Sequence, residues 1–326
     1  MKHYLLSTLA AVLMTPGVFA QEPVPTNRYA MKLEQKPDGS YALQREQRYA
    51  KIINLSEIPD LYTPYVHENK RLSGKLYNKA RTKDYIYKIH DGYELHIEID
   101  SFDSSSPTPV MFYVHGGGWA RGTNTSSRSI SKYLAQQHGI TGVRIQYTLA
   151  PQPGANVQVS IQDVLDAVEY VREHASELNV DMTRIGFLGT SAGGHLAAVA
   201  ALKCNAKVFV GYSGIYDLTT AAITTRAKDP ERIAYFGGLK SDYLKEASPY
   251  FMIPKKTSLA AQLFCGTADL TVECVQSEEF AAALKRRKAK VDLQEYMYYD
   301  HNLSSKTSDK MEEIFFKTAD FVSKNL

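Results

Sequence analysis

From residue 109 onward, apolar runs of strand length alternate with segments of helical period. A chain patterned this way can bury both kinds of element only in an α/β layer structure with a largely parallel sheet. PVMFYV (109–114) is a continuous apolar run of the kind that parallel strands covered on both faces require. GITGVRIQY (139–147), RIGFLG (184–189), AKVFVGYSG (206–214), LAAQLFCG (259–266) and VDLQEYMY (291–298) repeat the type. Between them, Ile161, Val164, Leu165, Val168 and Val171 recur at three- and four-residue spacing, which predicts one apolar helix face within 157–175. Further helices are predicted after Ser191, over Glu278 to Lys288, and over about 306–324. Ahead of this series, two alternating segments, 83–89 and 93–99, flank Asp91-Gly92 and read as a hairpin; 101–109 reads as a loop. The interval 218–250 breaks the rhythm and reads as a cap or lid.

The N-terminus carries different information. Lys2, an apolar run from Tyr4 to Met14, the break at Pro16-Gly17 and the small residues ending at Ala20 form a secretory signal, with cleavage expected after Ala20. The run is too short to span a bilayer core of about 30 Å, and no later segment reaches 18 consecutive apolar residues. The expectation is a secreted or periplasmic protein without a membrane span. Residues 21–80, interrupted by Pro23, Pro25, Pro59 and Pro64, read as an extended arm with one short helix. The catalytic domain is expected over 81–326, a single domain although the 326-residue length alone suggests two. Lys and Arg (38) nearly balance Asp and Glu (35), which argues against nucleic acid as a partner. The cysteines are Cys204, Cys265 and Cys274. An exported chain could oxidise one pair, but Cys265 lies in a buried apolar run and is read as a free thiol behaving as a small hydrophobe. No Cys/His spacing suggests a metal. Lys255-Lys256 and the basic run 285–290 read as a solvated loop and a helix end. Twenty-two tyrosines stand against one tryptophan, an imbalance the sequence alone does not account for.

The motifs that carry chemistry fall at strand ends. Gly189-Thr190-Ser191-Ala192-Gly193 matches G-x-S-x-G where a predicted strand meets a predicted helix. A sharp turn there pushes a serine side chain out at the sheet's carboxyl edge, above a helix N-terminus that favours negative charge. His115-Gly116-Gly117-Gly118-Trp119 follows PVMFYV directly. Its glycines let main-chain amides approach a ligand, so Gly117, Gly118 and Ala192 are the expected oxyanion donors. His115 is expected to hold this loop. Trp119 is read equally as a pocket-lining and as a packing residue. A phosphate loop is excluded because no Gly-Lys-Ser/Thr or G-x-G-x-x-G follows.

A serine hydroxyl needs a base, and the base needs an orienting acid. His301 follows the last predicted strand, and Asp269 follows the strand before it in Gly266-Thr267-Ala268-Asp269. Ser191, Asp269, His301 is the chain order of an α/β-hydrolase. Glu273 is the alternative acid; Asp300 adjoins His301 and points away from it. His195, one turn into the helix after Ser191, is expected to pack or bond locally. The remaining histidines show no metal spacing.

These motifs, together with Asp163, Arg184, Gly211-Tyr212-Ser213-Gly214 and Ala247-Ser248-Pro249, resemble the α/β-hydrolase carboxylesterases, in particular the hormone-sensitive-lipase-like branch and exported bacterial carbohydrate- and feruloyl-esterase-like enzymes. The resemblance covers about residues 80 to 326. His301 is followed by Asn302-Leu303, where relatives commonly have Gly. What it implies is a mostly parallel central sheet flanked by helices and ester hydrolysis through an acyl-enzyme on Ser191, with His301 as base and Asp269 as its partner. It implies no metal or organic cofactor, and a small-molecule or glycan ester as substrate. The alternatives are an arylformamidase-like amide hydrolase or a peptidase on the same fold. A non-catalytic binding protein would need a lost triad residue, and none is lost.

Overall fold

The computed structural model describes residues 30–35, 41–47, 76–90, 92–150, 152–220, 230–297, 299–303 and 311–326. The expected signal (1–20), most of the arm (21–80), Asp91, Tyr298, residues 221–229 of the expected cap and the start of the last helix lie outside them. The chain divides into two compact units, Met1–Thr63 and Pro64–Leu326.

In the first unit, β1 (Ala30–Gln35) and β2 (Tyr41–Gln47) pair antiparallel, with Gln35 opposite Tyr41. The strand pair falls within the arm expected over 21–80; the short helix expected there has no counterpart among the arm's few described residues, and the rest of the arm lies outside them.

The second unit is built on an eight-stranded sheet. Its strands are β3 (Arg81–His90), β4 (Tyr93–Ser101), β5 (Thr108–Val114), β6 (Thr141–Ile145), β7 (Val180–Thr190), β8 (Val208–Tyr212), β9 (Ala260–Gly266) and β10 (Lys290–Tyr296). Their spatial order is β10-β9-β8-β7-β5-β6-β4-β3. The six strands from β5 to β10 run parallel, and the β3–β4 hairpin closes one edge antiparallel through β4 and β6. This is the mostly parallel sheet the apolar runs predict.

Strand periodicity divides the core between the two faces. On β5, Val110, Phe112 and Val114 join one cluster while Met111 and Tyr113 join the other. The first cluster takes side chains from α2 (Val157–Glu173), α4 (Ala192–Lys203) and α8 (Val275–Arg286); α3 (Ala175–Leu178) is a single turn after α2. The second takes them from α1 (Arg128–His138) and α9 (Met311–Asn325). Phe112 and Phe187 stack across β5 and β7, with centroids 5.1 Å apart. Within the expected cap, the described residues form α5 (Pro230–Tyr235), α6 (Ser241–Ala247) and α7 (Pro249–Met252). α7 packs on α4, and Leu244 and Ala247 of α6 contribute buried side chains to the first cluster.

At the β4–β6 edge the sheet buries charge. Arg144 is fully buried; its Nε donates to Asp100 at 2.7 Å, and its Nη1 also pairs with Glu98. Asp100 accepts in addition from Ser131 and Thr82 at 2.6 Å each, so the buried carboxylate is fully engaged.

Among the described residues, no helix is long and apolar enough to cross a membrane, and no group of His, Cys, Asp or Glu could hold a metal ion.

Candidate active site

β7 lies between β5 and β8, and its carboxyl end is the centre of the site. The strand ends at Thr190, and α4 begins at Ala192. Ser191 makes the whole turn with φ 55° and ψ −122°, a backbone conformation that a side chain adopts only when its surroundings enforce it. Enforcement comes from both sides. The Ser191 N–H donates to the Tyr212 carbonyl at 2.8 Å, and the Ser191 carbonyl accepts from His195 N–H at 3.3 Å. The turn also needs room. A Cβ at Gly193 would overlap the carbonyl oxygens of Val114 and His115, and one at Gly189 would overlap the Gly193 carbonyl. Those two glycines are therefore steric requirements of the turn rather than sources of flexibility.

Ser191 Oγ lies 3.0 Å from His301 Nε2. The other ring nitrogen, Nδ1, lies 2.7 Å from Asp269 Oδ2. A carboxylate only accepts, so Nδ1 carries the proton and Nε2 presents its lone pair to the serine hydroxyl. The three residues expected from sequence are thus in one hydrogen-bonded line, from loops after β7, β9 and β10. All three loops leave the carboxyl ends of parallel strands, where open α/β sheets hold ligands.

Each member is itself held. Asp269 is buried, and its second oxygen accepts the backbone N–H groups of Thr271 and Val272 at 2.7 and 2.8 Å. This turn leaves Oδ2 free to face the imidazole. The carboxylate on the His301 ring is Asp269 and not the alternative Glu273; Asp300 instead accepts from Asn302 N–H at 2.9 Å. The His301 carbonyl accepts from Ser213 Oγ at 3.1 Å. Gly266 lets the two loops touch, since a Cβ there would overlap the backbone of Tyr299 and Asp300. Sequence reasoning gave Ser213 no role. Its signal was positional: it follows β8 as Ser191 follows β7.

Cys265 is the penultimate residue of β9, and Cys274 precedes α8; the two form a disulfide with a Cα separation of 5.1 Å. The expectation of a free Cys265 is corrected. The loop that turns on Asp269 doubles back, so a residue nine positions later lands beside the strand end. The acid thus sits inside a small closed ring. Cys204 is the free cysteine.

The glycine loop after β5 comes up against the serine. A Cβ on Gly116 would lie 2.8 Å from the Thr190 carbonyl and 3.3 Å from Ser191 Cβ. Gly117 and Gly118 have φ of 117° and 62°. His115 holds the loop base, as expected. Its ring stacks on Tyr147 at 4.4 Å, its Nδ1–H donates to the Gly116 carbonyl at 2.8 Å, and its own carbonyl accepts from Tyr147 Oη at 3.0 Å. Burial lowers the His115 pKa, which keeps the ring neutral. Trp119 is 2% exposed and packs edge-to-face against Phe236 at 5.1 Å and His195 at 5.6 Å. Its indole N–H is taken by His195 Nδ1 at 3.3 Å, so Trp119 is held as a packing residue. His195 is not confined to local bonds: its Nε2–H donates to the carbonyl of Ala247, 52 residues away, at 2.7 Å.

An uncharged imidazole on a serine hydroxyl, with a fixed carboxylate behind it and a glycine-lined loop in front, can generate an alkoxide nucleophile and collect negative charge on a carbonyl oxygen. Known proteins with similar chains fit that chemistry. An arylesterase of Saccharolobus solfataricus is 32% identical over 123 residues, which are 38% of this chain and 39% of that protein. An acetyl esterase of Salmonella schwarzengrund is 36% identical over 101 residues, 30% of this chain and 31% of that protein. The aligned stretches thus span well under half of these curated relatives. Among solved structures, a thermophilic esterase of Thermogutta terrifontis superposes with a TM-score of 0.60 at 22% identity, covering 76% of this chain and 90% of that one. This likeness establishes the α/β-hydrolase fold. The model of the BD-FAE family matches residues 97–284, from β4 to the last turn of α8 and more than half of the sequence. On that match the chain belongs to the BD-FAE family.

Proposed function

We propose that this chain is an exported serine carboxylesterase that cleaves short-chain acyl esters, with acylated carbohydrates as the substrate class. The observation that carries the reading is the line Ser191 Oγ, His301 Nε2, His301 Nδ1, Asp269 Oδ2, with separations of 3.0 and 2.7 Å at its two hydrogen bonds. The relatives named arylesterase and acetyl esterase support ester rather than amide chemistry. The Lys2-to-Ala20 signal supports export.

His301 takes the Ser191 proton as the oxygen attacks the ester carbonyl. Asp269 fixes the tautomer and stabilises the imidazolium that forms. The N–H groups of Gly117, Gly118 and Ala192 donate to the developing oxyanion. His301 then gives its proton to the departing alkoxide oxygen, which leaves as the alcohol, and a water activated by His301 attacks the acyl-enzyme and returns the proton to Ser191 as the acid is released.

The test is hydrolysis of p-nitrophenyl acetate by wild type and Ser191→Ala. The variant is expected to lose at least about a thousandfold in kcat/KM. Retained activity would remove Ser191 from the mechanism. A panel of p-nitrophenyl chain lengths, acetylated xylan, methyl ferulate and N-formylkynurenine then ranks substrates, and formamide turnover above ester turnover would reverse the ranking. N-terminal sequencing of the exported product is expected to begin at Gln21.

A further inference from the structure

We propose that His195 is a positioning residue for the oxyanion loop, acting by joining Trp119 to the carbonyl of Ala247. This rests on the esterase reading above. The loop 116–118 is three glycines and has no side chains with which to fix itself. The first side chain beyond them is Trp119, and its backbone is left-handed, φ 59°, where a bulky residue stays only if its surroundings hold it. The holding groups are identifiable. The Trp119 carbonyl accepts from Ala150 N–H at 2.7 Å, its ring is perpendicular to that of Phe236, and its N–H donates to His195 Nδ1.

His195 is completely buried on the first turn of α4, directly beneath Ser191. Its two contacts are compatible with one tautomer only. Nε2 faces the Ala247 carbonyl and must carry the proton, so Nδ1 is the acceptor that the indole N–H requires. Ala247 ends α6. One imidazole therefore ties together the glycine loop, the helix under the nucleophile and the cap segment. Oxyanion donors must be fixed relative to the reacting carbon, and a misplacement of about 1 Å costs about a hundredfold in rate. The link is expected to act on that distance and to leave substrate binding largely alone.

Trp119 is the chain's single tryptophan, so intrinsic fluorescence reports this contact without reference to activity. In the full chain, His195→Phe keeps a planar ring, slightly larger, and removes both bonds; Trp119→Phe removes the donor; His195→Gln offers an acceptor and a donor again. The expected result is a kcat for p-nitrophenyl acetate about ten- to a hundredfold lower in His195→Phe and Trp119→Phe, with KM within about threefold. Affinity for a boronic acid that forms a Ser191 adduct falls in parallel with kcat. The double variant is expected to be no worse than the worse single one, because both break the same link. His195→Phe shifts the Trp119 emission, and His195→Gln recovers most of the activity and of the emission.

The proposal is overturned if folded His195→Phe keeps kcat within twofold of wild type, or if the loss lies wholly in KM. Should His195→Phe fail to fold, Trp119→Phe decides: an unchanged kcat overturns the link and a loss of tenfold or more supports it. A folded wild type inactive on every ester sinks the esterase reading instead, a result distinct from an active wild type whose His195 variants are equally active.

Discussion

The buried His195 makes stability depend on pH in a way that can be worked from its surroundings. Burial pushes its pKa down from 6.5 to about 4. Between those values the unfolded chain holds a proton on this imidazole and the native chain does not. Stability from this residue is therefore complete above about pH 6.5, declines as pH falls below it, and stops declining below about pH 4. The whole span is worth roughly 3 kcal/mol, and the part between pH 7 and 4.5 about 2.5 kcal/mol. The perturbation is His195→Gln, which keeps two polar contacts and cannot titrate. The assay is urea unfolding of wild type and variant by far-ultraviolet circular dichroism at pH 7, 6, 5 and 4.5. Other titrating groups, including His115, whose pKa burial also lowers, are common to both proteins and cancel in the difference. The advantage of wild type over variant, whatever its size at pH 7, should shrink by about 2.5 kcal/mol at pH 4.5. A difference that stays flat to within about 0.5 kcal/mol would mean that His195 protonates in place, and the neutral-ring account of both its hydrogen bonds would be wrong.

Three further outcomes follow from packing. Gly193→Ala places a Cβ on the Val114 and His115 carbonyl oxygens, neither of which can yield without moving the strand end; melting should show a loss of about 2 kcal/mol or more, and esterase assays a near-complete loss of turnover. Thiol titration of the denatured, unreduced protein should find one thiol, Cys204, and three after reduction; a Cys265→Ala/Cys274→Ala variant should lose about 2–3 kcal/mol and lower kcat more than it changes KM, because the ring around Asp269 is opened. Asp100→Ala leaves the buried Arg144 with Glu98 as its one remaining carboxylate partner among the described residues and should cost about 3 kcal/mol in chemical unfolding while leaving kcat of the folded fraction unchanged, since the pair lies where β4 meets β6 and not at the carboxyl end of β7.

How much of this was legible in the sequence depends on the range of the interaction. The β5-to-β10 series was readable because each parallel strand, covered on both faces, must be an unbroken apolar run. The line of Ser191, Asp269 and His301 was readable because each follows such a run, so strand order alone delivers them to one edge. α4 was readable only from the turn before it. Ten of its twelve residues are buried, which leaves no polar face to set a period. Boundaries blurred where polar residues are inside: α8 begins at Val275 rather than Glu278 because Gln276 and Ser277 are buried, and Gln276 caps the backbone of Tyr216 and Asp217 at 2.8 Å. β7 extends back to Val180 through residues whose half-buried pattern has no continuous apolar signal.

What stayed illegible is the set of contacts that position the site. Ser213 reaches His301 across 88 residues, His195 reaches Ala247 across 52, and Cys265 meets Cys274 only because Asp269 turns the chain between them. None of these has a spacing rule, since each depends on where two loops arrive after the sheet has formed. The tyrosines belong to the same class. Tyr147 Oη donates to the His115 carbonyl, Tyr212 pairs with Thr318, Tyr235 with Ser160, and Tyr87 donates to the Gln146 carbonyl, all from buried or half-buried rings. Each ring fills core volume as phenylalanine would, while its hydroxyl reaches a polar group that the fold has already buried. These four tyrosines thus tie strands, loops and helices together through their hydroxyls. The motifs bring Ser191, His301 and Asp269 into one hydrogen-bonded line, and unmarked tyrosine, serine and histidine side chains hold the loops that carry them.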